Sequence, residues 1–389
     1  MAESLTSSFM VIAGEASGDA LAAELIAALK EKLRERGKAA SFFGVGGERM
    51  SAAGAELIFD LVRNAVFGLE ALGRFWEFKR RFYDLLRVAA ERKPDAIICV
   101  DFGGFNRRFA AAVKRRVRRG GDWNPKIVQY VSPQVWASRP GRAAKLARVV
   151  DLLLTIFPFE KAWYAERVPE LRVEFVGHPV VDRYGELHPA REEASGAPGI
   201  VLLPGSRPSE LKRHLPVFAE ALRSIRAVVP ELRARMILPD ALAPQGRAFG
   251  FPVDVQIDSG DLATALAQAD VAIAKSGTVT LECAYFGVPT VVMYKTSWAT
   301  YAIAKRIVQV KYVAMPNLLA NLEVFPEFLQ DAATPGNIAR AALEFLTDAA
   351  RRNTVKAKLK EIVSTLGAPG ASRRAAEAIL EVMEPASGR

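Results

Sequence analysis

One acidic residue in the first half of the chain has the type and position expected of a general base. Asp101 follows the strongly apolar run Ala96–Val100, which reads AIICV and is typical of a buried parallel strand. Ligands of open parallel sheets bind beyond the carboxyl ends of the strands, so this carboxylate should project into a crevice. Partly desolvated there, it could take the proton of a substrate hydroxyl. The alternative is that Asp101 only caps the helix that begins near Phe105.

A glycine-containing turn follows the first apolar run, Phe9–Ala13. Its sequence, GEASGD at 14–19, places Glu15 at a strand end and opens a helix whose free N–H groups can hold an anion or a sugar hydroxyl. The spacing does not match the G-x-G-x-x-G of a dinucleotide-binding turn. A simple connector with Asp19 as a helix cap is the alternative, and the ionisable Glu15 favours a functional turn.

Two comparable turns occur in the second half of the chain. Leu203–Arg207 (LPGSR) precedes Glu210, and Ala274–Thr278 (AKSGT) precedes Glu282. Hydroxyls and free N–H groups at a helix start, beside the two-pronged guanidinium of an arginine, form a cradle for a diphosphate. Glu282 could accept hydrogen bonds from a ribose. Two routine helix caps are the alternative, but their repetition at equivalent strand ends favours a nucleotide site.

Large apolar and basic residues are mixed between 66 and 82, and no acidic residue occurs between Phe102 and Gly121. Such a mixture suits an anionic membrane surface, and nucleic acid is the other natural partner. The alternative is that Phe75, Phe78 and Phe82 form one buried helical face whose cations are solvated. The pattern alone favours the buried face.

The composition excludes several classes of protein. The chain has 389 residues and carries 53 Lys+Arg against 43 Asp+Glu, a net charge of +10 that modestly favours an anionic partner. It contains no run of eighteen apolar residues, so no transmembrane helix is expected, and its first residues lack the pattern of a secretory signal. Two cysteines and three histidines argue against a disulfide framework and against a His/Cys metal cluster, and they fit a reducing cytoplasm.

Apolar runs alternate with helical patterns along the chain, which predicts an α/β fold with doubly wound parallel sheets in two similar domains. The segment Val180–Gly199 breaks this rhythm and is predicted to be a linker. The predicted strands are 9–13, 41–44, 96–100, 126–131, 152–157, 173–176, 200–203, 235–238, 253–257, 271–274 and 290–294. The predicted helices are 20–36, 74–91, 105–119, 141–150, 209–228, 261–268, 278–286, 298–308 and a tail at 335–383 that breaks near 367–370.

Taken together, the motifs resemble those of the lipid-A-disaccharide synthase family, glycosyltransferases of lipopolysaccharide synthesis in Gram-negative bacteria. The matching motifs extend over nearly the whole chain and occur in the same order as in that family. It is carried by AGEASGD at 13–19, GVGGERM at 44–50, DFGGFN at 101–106, YVSPQVWAS at 130–138, FPFEKAWY at 157–164, FVGHPVVD at 175–182, LLPGSR at 202–207, SGTVTLEC at 276–283 and YVAMPNLLA at 312–320. The chain departs from the family pattern at Gly103-Gly104, where an acidic residue is usual, and at Ser138, where the pattern often reads Trp.

The resemblance implies a GT-B fold, in which two Rossmann-like domains face each other across a cleft. It implies an acceptor and membrane-facing domain at 1–180, a UDP-sugar-binding domain at 199–365, and a C-terminal helix at 366–389 that packs back on the first domain. The implied inverting reaction joins UDP-2,3-diacylglucosamine to 2,3-diacylglucosamine 1-phosphate (lipid X). Its products are the β-1,6-linked disaccharide 1-phosphate and UDP, and neither a cofactor nor a divalent metal is expected.

The resemblance also suggests roles for individual residues, with Asp101 as the base and Glu15 as a second catalytic residue. The expected acceptor-side contacts are Gly14, Ser17, Gly18, Asn106, Ser132 and Trp136. The expected donor-side contacts are Gly205, Ser206, Arg207, Ser276, Gly277, Thr278, Glu282 and Asn317, the last in a loop facing the cleft. The expected membrane contacts are Val66, Phe67, Leu69, Leu72, Phe75 and Trp76.

The implied location is the cytoplasmic face of the inner membrane, as a peripheral protein that binds no nucleic acid, and a homodimer is left open. Two other enzymes share this architecture, a UDP-N-acetylglucosamine 2-epimerase and the transferase that forms lipid II. A non-catalytic protein that uses its positive charge on a membrane or on nucleic acid is a third alternative. A soluble UDP-N-acetylglucosamine assay would separate the epimerase, and release of UDP from an acylated donor would decide against the non-catalytic class.

Overall fold

The polypeptide forms two compact units, Met1–Pro179 with Gly367–Arg389 and Val180–Leu366. Each unit contains one parallel β-sheet, which confirms the predicted α/β class with two doubly wound domains. The computed structural model describes residues 6–60, 71–120, 122–185, 196–252 and 254–384, and of residues 71–78 and 303 it describes the backbone only.

The first unit has a seven-stranded sheet in the order β3-β2-β1-β4-β5-β6-β7. Its two central strands, β1 and β4, are covered on both faces, and this burial is why their sequences are almost continuously apolar. The strands are β1 (Ser7–Ala13), β2 (Ala40–Gly46), β3 (Glu56–Asp60), β4 (Ala96–Val100), β5 (Lys126–Tyr130), β6 (Leu152–Thr155) and β7 (Arg172–Phe175). The helices are α1 (Ala16–Glu35), α2 (Glu48–Ala52), α3 (Ala71–Arg92), α4 (Gly103–Arg118), α5 (Val135–Ser138), α6 (Ala143–Ala147) and α7 (Pro158–Arg167).

The second unit repeats this arrangement with a six-stranded sheet in the order β10-β9-β8-β11-β12-β13. Its strands are β8 (Gly199–Leu203), β9 (Arg233–Leu238), β10 (Gln256–Ser259), β11 (Val271–Lys275), β12 (Thr290–Tyr294) and β13 (Glu327–Leu329). The helix at the boundary of the units and those of the second unit are α8 (Pro179–Tyr184), α9 (Pro208–Arg226), α10 (Ala243–Ala248), α11 (Leu262–Ala267), α12 (Val279–Tyr285), α13 (Trp298–Ile307), α14 (Met315–Ala320), α15 (Pro335–Thr347) and α16 (Ala349–Ser364).

The last helix, α17 (Ala371–Met383), belongs to the first unit and packs against α1. Ion pairs join the two helices, among them Lys32 with Glu377 at 2.9 Å and Arg36 with Glu384 at 2.7 Å. Buried alanines of α17 allow close approach of the two helices, and the ion pairs lie at the exposed margin of the contact.

The structure differs from the sequence prediction at several elements. Both edge strands β3 and β13 were missed, because one is half-buried without alternation and the other has only three residues. The predicted linker begins where the two units divide, but its first residues are helical, since α8 spans Pro179–Tyr184 and buries Val180, Val181 and Tyr184. Residues 186–195 of that segment lie outside the described residues. The C-terminal tail breaks at Asp348 as well as near 367–370, because the Asp348 carboxylate accepts a hydrogen bond from the Arg351 N–H and starts a new helix.

Candidate active site

The two acidic turns of the first unit lie side by side. Strand β1 pairs with β4 in a register that sets Ala13 opposite Val100, so the chain leaves both strands at the same edge of the sheet. The strand order reverses between β1 and β4, and such a switch point opens a crevice in which doubly wound sheets bind ligands. Asp101 and the turn at 14–19 are therefore brought together at this crevice.

The turn that carries Asp101 has an unusual backbone. Asp101 and Phe102 have φ angles of +48° and +47°, in the left-handed region that non-glycine residues rarely adopt. The Phe102 ring lies against Gly14, where an added Cβ would lie 2.5 Å from a ring carbon, so only glycine fits at that position. Left-handed non-glycine residues are concentrated at functional sites, where the surrounding contacts hold them in place.

Two amide side chains hold the Asp101 backbone in this conformation. Asn106 Nδ2 donates to the Asp101 carbonyl oxygen at 2.7 Å, and Gln129 Nε2 donates to the same oxygen at 3.1 Å. Both amides are buried, with exposed fractions of 0% and 1%. Asn106 thus positions Asp101 through the main chain. Gln129 was missed in the sequence because it lies within the apolar strand β5 and carries no turn signal.

The environment makes the Asp101 carboxylate more basic than an ordinary aspartate. Burial raises the pKa of Asp101, and the negative charge of nearby Glu15 raises it further, while a hydrogen bond from the Phe102 N–H opposes both. Helix α4 begins at Gly103, and its N-cap residue is Phe102 and not Asp101. The hydrogen bond to the Asp101 carboxylate comes from the N–H of Phe102, which precedes the helix, so Asp101 is not the ordinary N-cap of α4.

Asp19 stabilises the start of helix α2. Its carboxylate accepts hydrogen bonds from the N–H groups of Gly47, Arg49 and Met50 at 2.7, 3.1 and 3.2 Å. It therefore caps helix α2 and not the start of its own helix, and it ties the GEASGD turn to the GVGGERM segment. Glu15 and Ser17, in contrast, are exposed at the start of α1, where a ligand could reach them.

Two expected acceptor contacts are enclosed by the first unit. Ser132 Oγ lies 3.0 Å from the Tyr164 hydroxyl, and Trp136 Nε1 donates to Glu160 at 2.9 Å. The exposed fractions of Ser132 and Trp136 are only 4% and 8%, so their side chains are engaged in internal contacts. Glu160 was not predicted, and burial raises its pKa to about 7 despite its hydrogen bonds from Trp136 and from the Phe157 N–H.

The two turns of the second unit also meet at a switch point. Strand β8 pairs with β11, which sets Leu203 opposite Ala274, and the sheet order reverses between these strands. The Glu210 carboxylate accepts a hydrogen bond from the Ser206 N–H at 3.0 Å and lies 3.5 Å from Lys275 Nζ, so it connects the two turns. Both residues lie in or beside the turns predicted from the sequence, but neither was assigned a role there.

The LPGSR turn leaves its polar groups available. Gly205 has a φ of +134°, and an added Cβ would lie 2.5 Å from a Glu210 oxygen, so a glycine is required there. Arg207 precedes α9 as its N-cap residue, is exposed, and has no carboxylate within ion-pair distance among the described residues. Ser206 and Thr278 are exposed as well. Arg207, these hydroxyls and the N–H groups of α9 are suited to bind phosphate oxygens.

The buried side chain of His214 stabilises the LPGSR turn by a contact with its main chain. Its Nδ1 lies 2.6 Å from the Pro204 carbonyl oxygen and its Nε2 lies 3.2 Å from the main chain of Lys295. Burial lowers the pKa of His214, so the ring is neutral at physiological pH. Its hydrogen bonds connect the main chain at Pro204 to the main chain at Lys295.

Two expected donor contacts, Ser276 and Glu282, are partly engaged by the protein itself. Ser276 Oγ donates to the Val313 carbonyl oxygen at 3.0 Å. Glu282 accepts from the Tyr184 hydroxyl at 3.1 Å and lies 3.3 Å from Arg183, and burial raises its pKa. Both partners contact Oε1 of Glu282, so they do not occupy the second carboxylate oxygen, Oε2.

The prediction that Asn317 lies in a loop facing the ligand is wrong. Asn317 belongs to α14 and is fully buried. Its Nδ2 donates to the Phe325 carbonyl oxygen and to Glu327, and its Oδ1 accepts from the N–H groups of Val324 and Phe325, at 2.7–2.8 Å. It connects α14 to the segment that leads into β13.

The predicted membrane contacts Val66, Phe67 and Leu69 lie outside the described residues. Leu72, Phe75 and Trp76 lie in the first turns of α3, where only the backbone is described. Farther along α3, Phe82 packs edge-on against Phe105 and Phe109 in the core, as the buried-face alternative expects for this ring. Within the described part of the chain, no helix combines the length and apolarity needed to span a bilayer.

Both sheets have the strand order of Rossmann domains, and the turns described above lie at their switch points, so the two units have the doubly wound sheets of a GT-B fold. The fold is similar to that of the UDP-GlcNAc 2-epimerase from Neisseria meningitidis, with a TM-score of 0.61 and 12% identity over 97% of this chain and 99% of that one. It is also similar to CalG4, the calicheamicin glycosyltransferase, with a TM-score of 0.60 and 16% identity over 98% and 99% of the chains.

At these identities the solved structures establish the fold alone, and the sequence comparisons identify the family. Residues 9–382 match the family model of lipid-A-disaccharide synthetase. The lipid-A-disaccharide synthase of Anaeromyxobacter dehalogenans (strain 2CP-C) is 39% identical, over 97% of this chain and 98% of that protein. The chain belongs to the lipid-A-disaccharide synthetase family. Membership confirms the expectation of a glycosyltransferase of lipid A synthesis and disfavours the epimerase, lipid II and non-catalytic alternatives.

Proposed function

We propose that the enzyme transfers the sugar of UDP-2,3-diacylglucosamine to the 6-hydroxyl of 2,3-diacylglucosamine 1-phosphate. The bond between C1 of the donor sugar and the diphosphate oxygen breaks, and its electron pair leaves with UDP. The acceptor O6 bonds to C1 from the opposite face, which inverts the configuration and gives the β-1,6 linkage. The observation that carries this proposal is Asp101, a carboxylate of raised pKa in a left-handed turn at a sheet switch point.

Asp101 is the general base of this proposal. As O6 attacks C1, its proton moves to the Asp101 carboxylate, and the raised pKa makes that carboxylate a stronger base than an ordinary aspartate. Glu15 assists by keeping negative charge beside Asp101, and Asn106 and Gln129 act as positioning residues through the Asp101 carbonyl. Gly14 permits the close approach of Phe102 that this turn needs.

The second unit is proposed to bind the UDP moiety. Arg207 offers parallel N–H groups to the diphosphate, and the hydroxyls of Ser206 and Thr278 add neutral donors. Negative charge develops on the leaving diphosphate, so donors held in place before the reaction stabilise the transition state more than the ground state. Glu210 and Lys275 keep the two turns in register and are proposed as positioning residues.

We also propose that the protein binds the membrane surface from the cytoplasmic side. Both substrates carry acyl chains, and the segment 66–82 combines large apolar residues with cations. In its described part, the Arg80 side chain is 85% exposed and has only a 4.0 Å contact with Asp84, so it could exchange this partner for a lipid phosphate. Acyl chains of both substrates would then remain in the lipid phase while the sugars enter the site.

The test is a reconstituted reaction with purified protein in detergent and both acylated substrates. UDP release should match formation of a disaccharide 1-phosphate, and omission of the acceptor should abolish UDP release. Conversion of UDP-N-acetylglucosamine to its 2-epimer without an acceptor would contradict the proposal. So would UDP release whose rate is independent of the acylated acceptor.

A further inference from the structure

A cavity of about 170 Å³ in the first unit is lined by three arginines. Arg107 comes from the second turn of α4, and Arg139 and Arg142 come from the segment between α5 and α6. Gly103 and Gly104 at the start of α4 complete one wall. The cavity is separate from the UDP-binding turns, which belong to the other unit.

The charge in this cavity is not compensated by the protein. Its lining contains no Asp or Glu, and none of the three arginines has a carboxylate within 4.0 Å among the described residues. Lys114 on the same helix is different, because it pairs with Asp151 at 2.8 Å. Partial desolvation lowers the pKa of Arg142, and the nearby positive charges of Arg139 and Arg107 lower it further, so the three cations repel one another. A bound anion would relieve that repulsion.

The start of α4 adds neutral donors to the three cations. Helix α4 has sixteen residues, and its first N–H groups have no partner within the helix. A Cβ added to Gly104 would meet no atom within 4 Å, so the backbone there borders open space. Guanidinium groups and helix N-terminal N–H groups together match the oxygens of a phosphate better than those of a neutral sugar.

The position of the cavity relates it to the reaction. Gly103 follows Asp101 by two residues, so their Cα atoms are at most about 7 Å apart. Arg107 lies four residues farther, about 6 Å along the helix axis. A molecule with its hydroxyl at Asp101 and a phosphate on the same sugar ring could reach the arginines without leaving the first unit.

We propose that Arg107, Arg139 and Arg142 bind the phosphomonoester of the acceptor sugar and thereby direct its free hydroxyl to Asp101. This inference rests on the proposed function, and it assigns the acceptor subsite that the sequence left open. The arginine cavity selects acceptors that carry a terminal phosphate. The donor, whose phosphates are esterified in a diphosphate, is held by the other unit.

The first arm of the test compares two double variants. Arg139→Gln with Arg142→Gln removes two charges from the cavity. Lys145→Gln with Arg148→Gln removes two exposed charges in and directly after α6, outside the cavity lining. The cavity variant should raise KM for the phosphorylated acceptor about 10- to 100-fold, because charge-assisted bonds to phosphate are lost. KM for the UDP-sugar and the melting temperature should stay unchanged, and the control variant should behave like the wild type.

The second arm uses 2,3-diacylglucosamine without its phosphate. The wild type should lose about 10- to 100-fold in kcat/KM with this acceptor, whereas the cavity variant should discriminate between the two acceptors only weakly. Equal discrimination by both proteins would overturn the inference. If the wild type releases UDP with neither acceptor, the proposed function itself fails, and soluble glucosamine 1-phosphate then tests the cavity alone: calorimetric binding to the wild type but not to the cavity variant supports the subsite.

The third arm separates an acceptor phosphate from a phospholipid head group. Vesicles of phosphatidylglycerol are sedimented with the wild type and with Arg107→Gln, which removes the cavity cation carried by α4. Unchanged sedimentation, combined with a raised acceptor KM, supports the acceptor subsite. Weakened sedimentation with an unchanged acceptor KM would mean that the cavity binds membrane head groups, and the inference would be wrong.

Discussion

Replacement of Asp101 by asparagine removes the proposed base while keeping the size of the side chain. Loss of a general base lowers kcat by about 10²- to 10⁴-fold, or about 3–5 kcal/mol in the activation free energy. The fold should tolerate the change, because Asn106 and Gln129 hold residue 101 through its carbonyl oxygen and not through its carboxylate. Steady-state UDP release beside a melting curve measures both effects, with the surface variant Asp122→Asn as control.

The sign of the stability change is itself informative. The folded protein raises the pKa of Asp101, so the folded state disfavours its ionised form. The cost in stability is fully present above that raised pKa and is lost as the pH falls from it to the ordinary pKa of an aspartate in the unfolded chain. Asp101→Asn should therefore leave the melting temperature at neutral pH unchanged or slightly higher. Replacement of an aspartate that caps a helix would have the opposite effect and lower the free energy of unfolding by about 1 kcal/mol.

The pH dependence provides an independent check of the same site. Because the base must be deprotonated, kcat/KM should fall on the acid side through the raised pKa of Asp101. Glu15→Gln removes a charge that raises this pKa, so the acid limb should move to lower pH. Near-normal turnover of Asp101→Asn, or an acid limb that Glu15→Gln leaves in place, would refute the assignment of Asp101 as the base.

Three further predictions concern other parts of the molecule. Arg207→Lys keeps the charge but loses the two-pronged geometry, so it should bind UDP clearly more weakly in calorimetry, and unchanged affinity in Arg207→Ala would exclude a diphosphate contact. Asp19→Ala loses the cap of α2 and should lower stability by about 2 kcal/mol in denaturant titrations, whereas an unaffected midpoint would contradict the capping role. Combined replacement of Phe67, Leu69 and Leu72 by serine should reduce vesicle co-sedimentation even at high salt, because apolar insertion is not screened. A collapsed melting transition with unchanged sedimentation would instead place these side chains in the core.

Much of the architecture follows from local patterns in the sequence. The run AIICV at 96–100 is apolar at every position because β4 is covered on both faces, and its strand bounds are those predicted. The turns after β1, β4, β8 and β11 were recognisable because glycine and ionisable residues interrupt the apolar pattern at those points. Alternation of strands and helices likewise indicated the two doubly wound sheets.

The direction in which a side chain points depends on contacts with other segments, so it could not be predicted from the local sequence pattern. Asn317, Ser132 and Trp136 occur in motifs with polar or aromatic character, yet each is buried and hydrogen-bonded to a residue outside its own motif, 8, 32 and 24 positions away respectively. Gln129 and Glu160 were missed for the converse reason, since each is a single polar residue within an apolar or mixed segment.

The sequence by itself therefore determined the strands, the helices and the turns at which chemistry could occur. Only the tertiary structure decided which turns meet, because the pairing of β1 with β4 and of β8 with β11 skips the strands that lie between them in the chain. The arginine cavity is the clearest case: Arg107 and Arg139 are 32 positions apart in the sequence and line one cavity. Folding brings their charges together because the parallel strands β4 and β5 end at the same edge of the sheet.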